Sequence, residues 1–159
     1  MIKIKYLCQF PQYVPDLANI WKESIGTAYL PDVTAEDIEV KLKSHLNQDI
    51  LPLTYIALDD DKAIGMASLR SDDGITSDLF PWLGSLCVSE GHRKRGVGKL
   101  LIDLVKIKAR KMGFKKLYLS TFDEKLIPWY KNLGWMELEK SSFKGLPITI
   151  MSIDISYTI

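Results

Sequence analysis

The sequence contains little cysteine and no long apolar run. Cys8 and Cys87 are its only cysteines, which is too few for a disulfide framework. Both lie in strand-like runs, so we expect two small core residues in a reducing compartment. No stretch approaches the roughly 20 apolar residues that cross a bilayer, and the opening MIKIKYLC lacks an apolar signal-peptide core. These absences predict a cytoplasmic protein without a membrane partner.

An excess of charge of one sign is also missing. The net charge is +1 over 159 residues, which disfavours a dedicated nucleic-acid-binding protein. Ten basic residues and one acid fall within residues 93–116, but most of them fit the exposed face of a helix. We therefore expect no nucleic-acid partner. A nucleic-acid patch at residues 92–95 is the weakest of three functional hypotheses.

Histidine is equally scarce. His45 and His92 are the only two, and we expect both to be exposed. Protein metal sites usually combine three or four ligands, and neither histidine has companion ligands in the sequence. No metal site is predicted.

The length fits one domain, residues 1–159, with a buried core. Apolar spacing gives the element order β-α-α-β-β-β-α-β-α-β-β. The predicted helices include residues 15–28, a second helix that Thr34 and Asp37 begin with an acidic capping box, one that follows Gly96, and a short one ending at Leu133. The predicted strands are residues 2–8, 53–58, 63–69, 82–88, 116–121, 135–140 and 148–155.

Residues 88–99 (VSEGHRKRGVGK) link an apolar run to an amphipathic one. This order predicts a strand-to-helix turn, with Gly96 and Gly98 where the helix begins. The first amides of a helix have no partner inside it and lie at the positive end of its dipole. With three basic residues beside them, these amides form a receptor for an anion such as a diphosphate.

Two nucleotide-binding loops do not fit this turn. A Walker loop ends in Gly-Lys-Ser/Thr, but Val97 follows Gly96, and Leu100 follows Lys99. A dinucleotide fingerprint needs a third glycine or alanine where Leu101 stands. The anion is therefore not held by either of these motifs.

The pattern Arg93-x-x-Gly96-x-Gly98, between a strand and a helix, resembles the acetyl-coenzyme A loop of the GCN5-related N-acetyltransferase (GNAT) superfamily. Residues 128–135 (PWYKNLGW) resemble the helix-to-strand signature of the same family, and the two segments together are more specific than either alone. The resemblance implies a single-domain α/β (α+β) acyl-CoA N-acyltransferase fold. Its sheet would be mixed and mostly antiparallel, with a splayed central parallel pair and helices on both faces.

The resemblance also implies a reaction. An acetyl group would move from acetyl-coenzyme A to a primary amine by direct attack in a ternary complex, without a metal. Tyr130 matches the tyrosine that protonates the leaving thiolate in this family. The main chain of Leu86, Cys87 and Val88 would pair with the pantetheine arm. The diphosphate would bind the amides of the loop residues Arg93, Lys94, Arg95, Gly96, Val97, Gly98 and Lys99.

The general base is not evident, because residues 82–87 contain no acid. Asp78 is the nearest upstream candidate, and a chain of water molecules is the alternative. Asp123 stands where the family often has an asparagine that helps to hold the coenzyme. An aspartate cannot donate as an asparagine does and brings negative charge toward an anion, so Asp123 fits a helix cap as well as a coenzyme contact.

Residues 26–33 and 71–81 are expected to form the walls of the acceptor site, with Tyr29 and Trp82 as aromatic contacts. Acidic residues in the second wall favour a cationic acceptor, which could be a small molecule, a peptide or a protein. The alternative function is a noncatalytic acyl-coenzyme A-binding module, which the missing strand carboxylate supports. The sequence leaves the oligomeric state open, including a homodimer.

Overall fold

The structure, a computed structural model, describes residues 1–75 and 77–156. In this part of the chain seven strands form one mixed sheet. The apolar runs identified in the sequence become its strands, and each lies close to its predicted position. They are β1 (Ile2–Tyr6), β2 (Leu53–Asp59), β3 (Lys62–Arg70), β4 (Trp82–Val88), β5 (Lys116–Thr121), β6 (Met136–Phe143) and β7 (Leu146–Asp154).

Caps and prolines set where the helices begin. Thr34 Oγ1 accepts a hydrogen bond from the Asp37 amide at 3.1 Å, and the Asp37 carboxylate accepts one from the Thr34 amide at 2.9 Å. This is the predicted capping box. Pro15 and Pro128 stand in the first turn of their helices, where no amide is needed. The helical segments are α1 (Val14–Trp21), a π-helical continuation (Lys22–Gly26), α2 (Thr27–Tyr29), α3 (Ala35–Lys43), α4 (Val97–Lys111) and α5 (Ile127–Asn132).

The sheet opens in its middle. Its strand order is β1-β2-β3-β4-β5-β7-β6, and its one parallel pair among the described residues is β4 with β5. These two strands pair at Trp82 and Tyr118 alone and then part. The splayed parallel pair that the resemblance implied is thus confirmed. Residues 84–88 of β4 have no partner strand on the β5 side.

Helices cover both faces of the sheet, as predicted. α1 and α3 pack on one face, around Ile56 and Met66. α4 packs on the other face because its apolar stripe meets the sheet. That stripe consists of Val97, Leu101, Ile102, Val105 and Ala109, each at most 2% exposed.

The first strand is shorter than predicted. β1 ends at Tyr6, and Leu7–Gln9 form a 3₁₀ turn, because Pro11 follows and the chain must turn into α1. Cys8 therefore lies half-buried in the turn and is not the core residue that was expected, whereas Cys87 is buried as predicted. At the other end of the chain, Lys144 and Gly145 have φ values of 49° and 81°, which suit the two-residue turn between β6 and β7.

His45 is buried, and the expectation that it is exposed was wrong. The residue is 2% exposed, because the chain beyond α3 turns inward toward β2. Its Nδ1 atom lies 2.9 Å from Thr54 Oγ1, which lies 2.7 Å from Ser68 Oγ. These hydrogen bonds compensate for the lost water.

Acid should destabilise the protein through His45. Burial, together with the positive charges of Arg70 and Lys41, lowers the pKa of His45 from 6.5 to about 3. Between these values the unfolded chain binds a proton that the folded chain does not. The free energy of unfolding therefore falls as the pH falls through this window, by up to about 1.4 kcal/mol per pH unit. Urea titrations at several pH values should show a shallower slope for His45→Gln, and an unchanged slope would contradict this assignment.

Candidate functional site

The loop between β4 and α4 presents amide groups that the helix does not use. Gly96 caps α4 with φ +79°, and Lys94 also has a positive φ of 63°. The first helical bond runs from the Leu100 amide to the Gly96 carbonyl at 3.1 Å. The amides of residues 97–99 therefore lie at the start of the helix without helical partners, at the positive end of its dipole. This arrangement suits an anion.

The basic side chains of the loop are largely occupied elsewhere. Arg93 donates from Nε to the Val88 carbonyl at 3.1 Å and from Nη2 to Ser24 Oγ at 3.3 Å. Arg95 lies 3.7 Å from the carboxylate of Asp59, and Lys99 lies 2.8 Å from that of Asp103. The loop thus offers an anion its backbone more than its side chains.

His92 is also part of this structure and is less exposed than expected. Its side chain is 16% exposed. Its Nδ1 atom lies 2.9 Å from Ser89 Oγ, and its Nε2 atom lies 3.4 Å from the Asp59 carboxylate. Asp59, at the end of β2, therefore holds two side chains of the loop. The carboxylate of Asp59 thus anchors the loop to the end of β2.

The second motif of the sequence lies against the first. A Cβ atom at Gly98 would stand 3.4 Å from the ring of Trp129, so α5 approaches the first turn of α4. The Tyr130 ring is 5.0 Å from that of Trp129 and 6.2 Å from that of Trp135. Tyr130 is 6% exposed, and its burial raises the pKa of the phenol. Its hydroxyl makes no hydrogen bond with the described residues.

β4 carries a bulge beside the opening of the sheet. The register against β3 shifts between Met66 and Ser68, which leaves β4 with an extra residue. Ser85 lies there with φ +51°, a conformation that costs a residue with a side chain about 1–2 kcal/mol. Such a bulge re-aims the backbone groups of a strand. No pattern in the sequence predicts this bulge.

A buried ion pair, which sequence reasoning missed, lies on the same part of the sheet. The Arg70 guanidinium donates to the Asp73 carboxylate, and each side chain is 10% exposed. Asp73 also accepts a hydrogen bond from Ser120 Oγ at 2.8 Å. Arg70 lies 3.5 Å from Ser85 Oγ and packs against Gly84, where a Cβ atom would overlap it. In the sequence, the one indication of this arrangement is Gly84, a glycine among large apolar residues.

The four remaining candidates lie at different depths. Asp78 is exposed and forms no hydrogen bond within the described residues. Asp123 accepts from the Lys125 amide at 2.9 Å and caps the turn before α5. Trp82 is 1% exposed and donates from Nε1 to the Leu79 carbonyl at 2.7 Å, behind the second wall. Tyr29 alone of the two aromatics reaches the surface.

Tyr29 lines one side of a cleft. Its ring stacks on that of Phe122 at 5.0 Å, and Phe122 meets Phe143 edge to face at 6.1 Å. Partial burial and the Asp123 carboxylate raise the pKa of Tyr29. The cleft has a volume of about 190 Å³ and is lined by residues 29–33 together with Lys144 and Leu146. Residues 29–33, a part of the predicted wall 26–33, lie across this cleft from the β6–β7 turn.

Cys87 should resist thiol reagents in the folded protein. Burial raises the pKa of its thiol from 9.0 to about 12, so very little of the reactive thiolate is present near pH 8. The half-buried Cys8 should react first. With Ellman's reagent we expect one accessible thiol in the native protein and two in guanidinium chloride. Two fast native equivalents would contradict the placement of Cys87.

Two features are absent from the described residues. No group of three or more histidine, cysteine, aspartate or glutamate side chains there could hold a metal ion. No helix within residues 1–75 and 77–156 has the length and apolar character to span a membrane.

The splayed sheet and the strand-to-helix loop agree with a comparison against known families. The family model described as "Acetyltransferase (GNAT) family" matches residues 15–135, so the chain belongs to this family. A comparison with curated protein sequences gave no match.

Solved structures of the same fold cover nearly the whole chain. An aminoglycoside 6'-acetyltransferase type Ii is 20% identical, with a TM-score of 0.73 over 96% of this chain and 97% of its own. An aminoglycoside 6'-N-acetyltransferase complexed with coenzyme A is 16% identical, with a TM-score of 0.75 over 98% and 97%. The ribosomal-protein-S18-alanine N-acetyltransferase of Escherichia coli is 17% identical, with a TM-score of 0.72 over 99% and 96%. At such identities the likeness shows the fold alone.

Proposed function

We propose that this protein is an N-acetyltransferase that moves the acetyl group of acetyl-coenzyme A to a primary amine within a ternary complex. One observation carries the proposal. The amides at the start of α4 lie at the end of β4, the strand whose other edge opens toward β5. These amides would thus receive the diphosphate beside the gap, and the gap would take the extended arm of the coenzyme. Residues 1–159 would form one domain, because their described strands share one sheet.

The loop and the open edge of β4 would divide the coenzyme between them. The amides of Arg93, Lys94, Arg95, Gly96, Val97, Gly98 and Lys99 would receive the diphosphate. The main chain of Leu86, Cys87 and Val88 would pair with the pantetheine amides, as a strand pairs with a sheet edge. Two structural neighbours, one solved with coenzyme A and the other with acetyl-coenzyme A, support this choice of ligand. Asp123 would approach the coenzyme only from its capping position.

The chemistry then follows from groups near the gap. A bound thioester supplies an activated carbonyl. An amide near Cys87 or Val88 would donate to the carbonyl oxygen as negative charge develops there. The amine nitrogen bonds to the carbonyl carbon, the carbon–sulfur bond breaks, and Tyr130 gives its proton to the departing sulfur. The proton that the amine loses passes to water, from which Tyr130 regains its own. Asp78 remains a candidate for the general base, but its exposure to solvent does not favour this role.

The acceptor would be an amine that carries further positive charge. The neighbours that acetylate aminoglycosides or a ribosomal-protein alanine show that this fold admits both small-molecule and protein amines. In this chain the cleft beside Tyr29 lies near Asp123, and Asp72 and Asp78 are exposed in the second wall. These carboxylates favour a cation. We place the protein in the cytoplasm and leave open whether it is a monomer or a homodimer.

Calorimetry and a panel of acceptors test the proposal. We expect saturable binding of acetyl-coenzyme A, and acetyl transfer to at least one of kanamycin, spermidine and a peptide with an N-terminal alanine. Failure to bind acetyl-coenzyme A would refute the proposal. Tight binding without turnover on a wide amine panel would favour the alternative, a noncatalytic acyl-coenzyme A-binding module, which the absence of an acid in residues 82–87 supports.

A further inference from the structure

One carboxylate lies across the point where the sheet opens. Asp73 is bonded both to Arg70 at the end of β3 and to Ser120 on β5. Since β4 runs between those two strands, the carboxylate of Asp73 bridges over β4. The parallel pairing of Trp82 with Tyr118 puts Gly84 level with Ser120, two residues further along each strand. The carboxylate therefore lies just past the last paired residue, at the apex of the gap.

The chain makes room for this carboxylate at a cost. The position beneath the Arg70 guanidinium, which holds this carboxylate, is Gly84, and any side chain there would collide with the guanidinium. Arg70 Nε is buried and has no hydrogen-bond partner among the described residues. A buried ion pair with an unsatisfied donor is weak evidence for stability, because apolar residues of similar volume often do as well or better. Stability alone therefore gives no strong reason for this arrangement.

We propose that Asp73 is a catalytic residue that accepts an N–H hydrogen bond from the attacking amine. The inference rests on the proposed function, because it needs a thioester in the gap. The loop amides would hold the diphosphate end of the coenzyme beyond Val88, so its acetyl end points back toward the apex. The acceptor nitrogen must therefore approach at Asp73. Arg70 and Ser120 are positioning residues that fix its two oxygens.

The role of Asp73 is electrostatic. When the neutral amine attacks, its nitrogen gains a positive charge as the carbon–nitrogen bond forms, and the electron pair of the carbonyl moves to oxygen. A fixed carboxylate beside that nitrogen stabilises the transition state more than the neutral ground state. The proton that the amine loses leaves to water.

A paired substitution separates this role from a structural one. Asp73→Asn alone leaves the Arg70 charge buried without its partner and is expected to weaken the fold. The double variant Arg70→Gln with Asp73→Asn replaces the ion pair by two neutral amides. We expect it to fold, to bind acetyl-coenzyme A within about threefold of the wild type, and to lose about 10²- to 10³-fold in kcat. The acceptor is whichever of kanamycin, spermidine and the alanyl peptide the wild type acetylates fastest. Asp16→Asn, on the exposed face of α1, is the matched control.

Each outcome decides a different point. A double variant with wild-type kcat overturns the role of Asp73 and leaves the proposed function standing. A wild type that transfers no acetyl group overturns both. Should the double variant not fold, Ser120→Ala removes only the hydroxyl that holds the second oxygen of Asp73. We then expect kcat to fall about tenfold with the affinity for acetyl-coenzyme A unchanged, and an unchanged kcat overturns the inference.

Discussion

The Tyr130→Phe variant is expected to bind acetyl-coenzyme A as the wild type does and to transfer the acetyl group about 10²- to 10⁴-fold more slowly. The substitution removes one hydroxyl group and keeps the ring that packs against Trp135. Because that hydroxyl has no hydrogen-bond partner among the described residues, its removal should leave the melting temperature almost unchanged. A loss of rate without a loss of stability would mark the hydroxyl as the acid.

The acidity of Tyr130 sets the expected pH dependence. In water, transfer of a proton from a phenol of pKa about 10 to a thiolate of pKa about 8.5 costs roughly 2 kcal/mol. Burial raises the pKa of Tyr130. The same apolar surroundings would also raise the pKa of a thiol there, so the gap between the two pKa values grows less than the pKa of Tyr130 does. The raised pKa keeps the phenol protonated throughout the physiological range. The alkaline limb of kcat should therefore not begin below about pH 10.

Single-turnover kinetics with acetyl-coenzyme A in excess would measure this effect on the chemistry alone. Tyr55→Phe is the matched control, because Tyr55 is also buried but lies on β2 beside Tyr6. Its rate should equal that of the wild type. A Tyr130→Phe variant with a wild-type chemical rate would show that Tyr130 is only a core aromatic residue.

Gly98→Pro is expected to weaken the binding of acetyl-coenzyme A by about 10- to 150-fold. Proline removes the amide hydrogen at the second position of α4, and a hydrogen bond to a charged group contributes about 1.5–3 kcal/mol. The backbone accepts proline at this position. α1 begins with Val14-Pro15, and Val14 keeps helical angles of −53° and −47°. The substitution would create the same Val-Pro pair at the start of α4.

Gly98→Ala is the control that keeps the amide. Its added Cβ atom would stand 3.4 Å from the Trp129 ring, an ordinary van der Waals distance, so the fold should tolerate it. Isothermal titration calorimetry should give alanine an affinity close to that of the wild type and proline a much lower one. Equal affinities for the two variants would mean that the amide at position 98 does not contact the ligand.

The sequence was sufficient for the architecture because periodicity and caps are local. The order of elements, the Thr34 capping box and the turn at Gly96 all follow from residues that are near one another in the chain. The splayed parallel pair came from the family resemblance, not from any pattern of apolar residues. The early end of β1 was not predicted, because it depends both on Pro11 and on the turn of the chain into α1.

The parts of the site that sequence reasoning missed depend on contacts between distant segments. Asp73 acquires its position from Arg70 and Ser120, the second of which is 47 residues away, and no local pattern reports such a contact. The bulge at Ser85 is likewise not predictable from the sequence, because a serine within a strand does not indicate a bulge. His45 was expected to be exposed because the sequence shows no hydrogen-bond partner for a lone histidine after a helix. In the fold, Thr54 is that partner, and Thr54 is in turn within hydrogen-bond distance of Ser68. Burial of polar groups is a tertiary property.

The parted strands have a consequence for how this protein must be handled. An unpaired strand edge is a template for other chains, and natural proteins normally shield their edges. Here such an edge lies in the centre of the sheet, along residues 84–88, where a ligand that lies in the gap would cover it. A ligand at a hundred times its dissociation constant adds about 2.7 kcal/mol to the stability of the folded state. Concentrated stocks stored with coenzyme A should therefore stay clear longer than stocks stored alone, as light scattering over days would show.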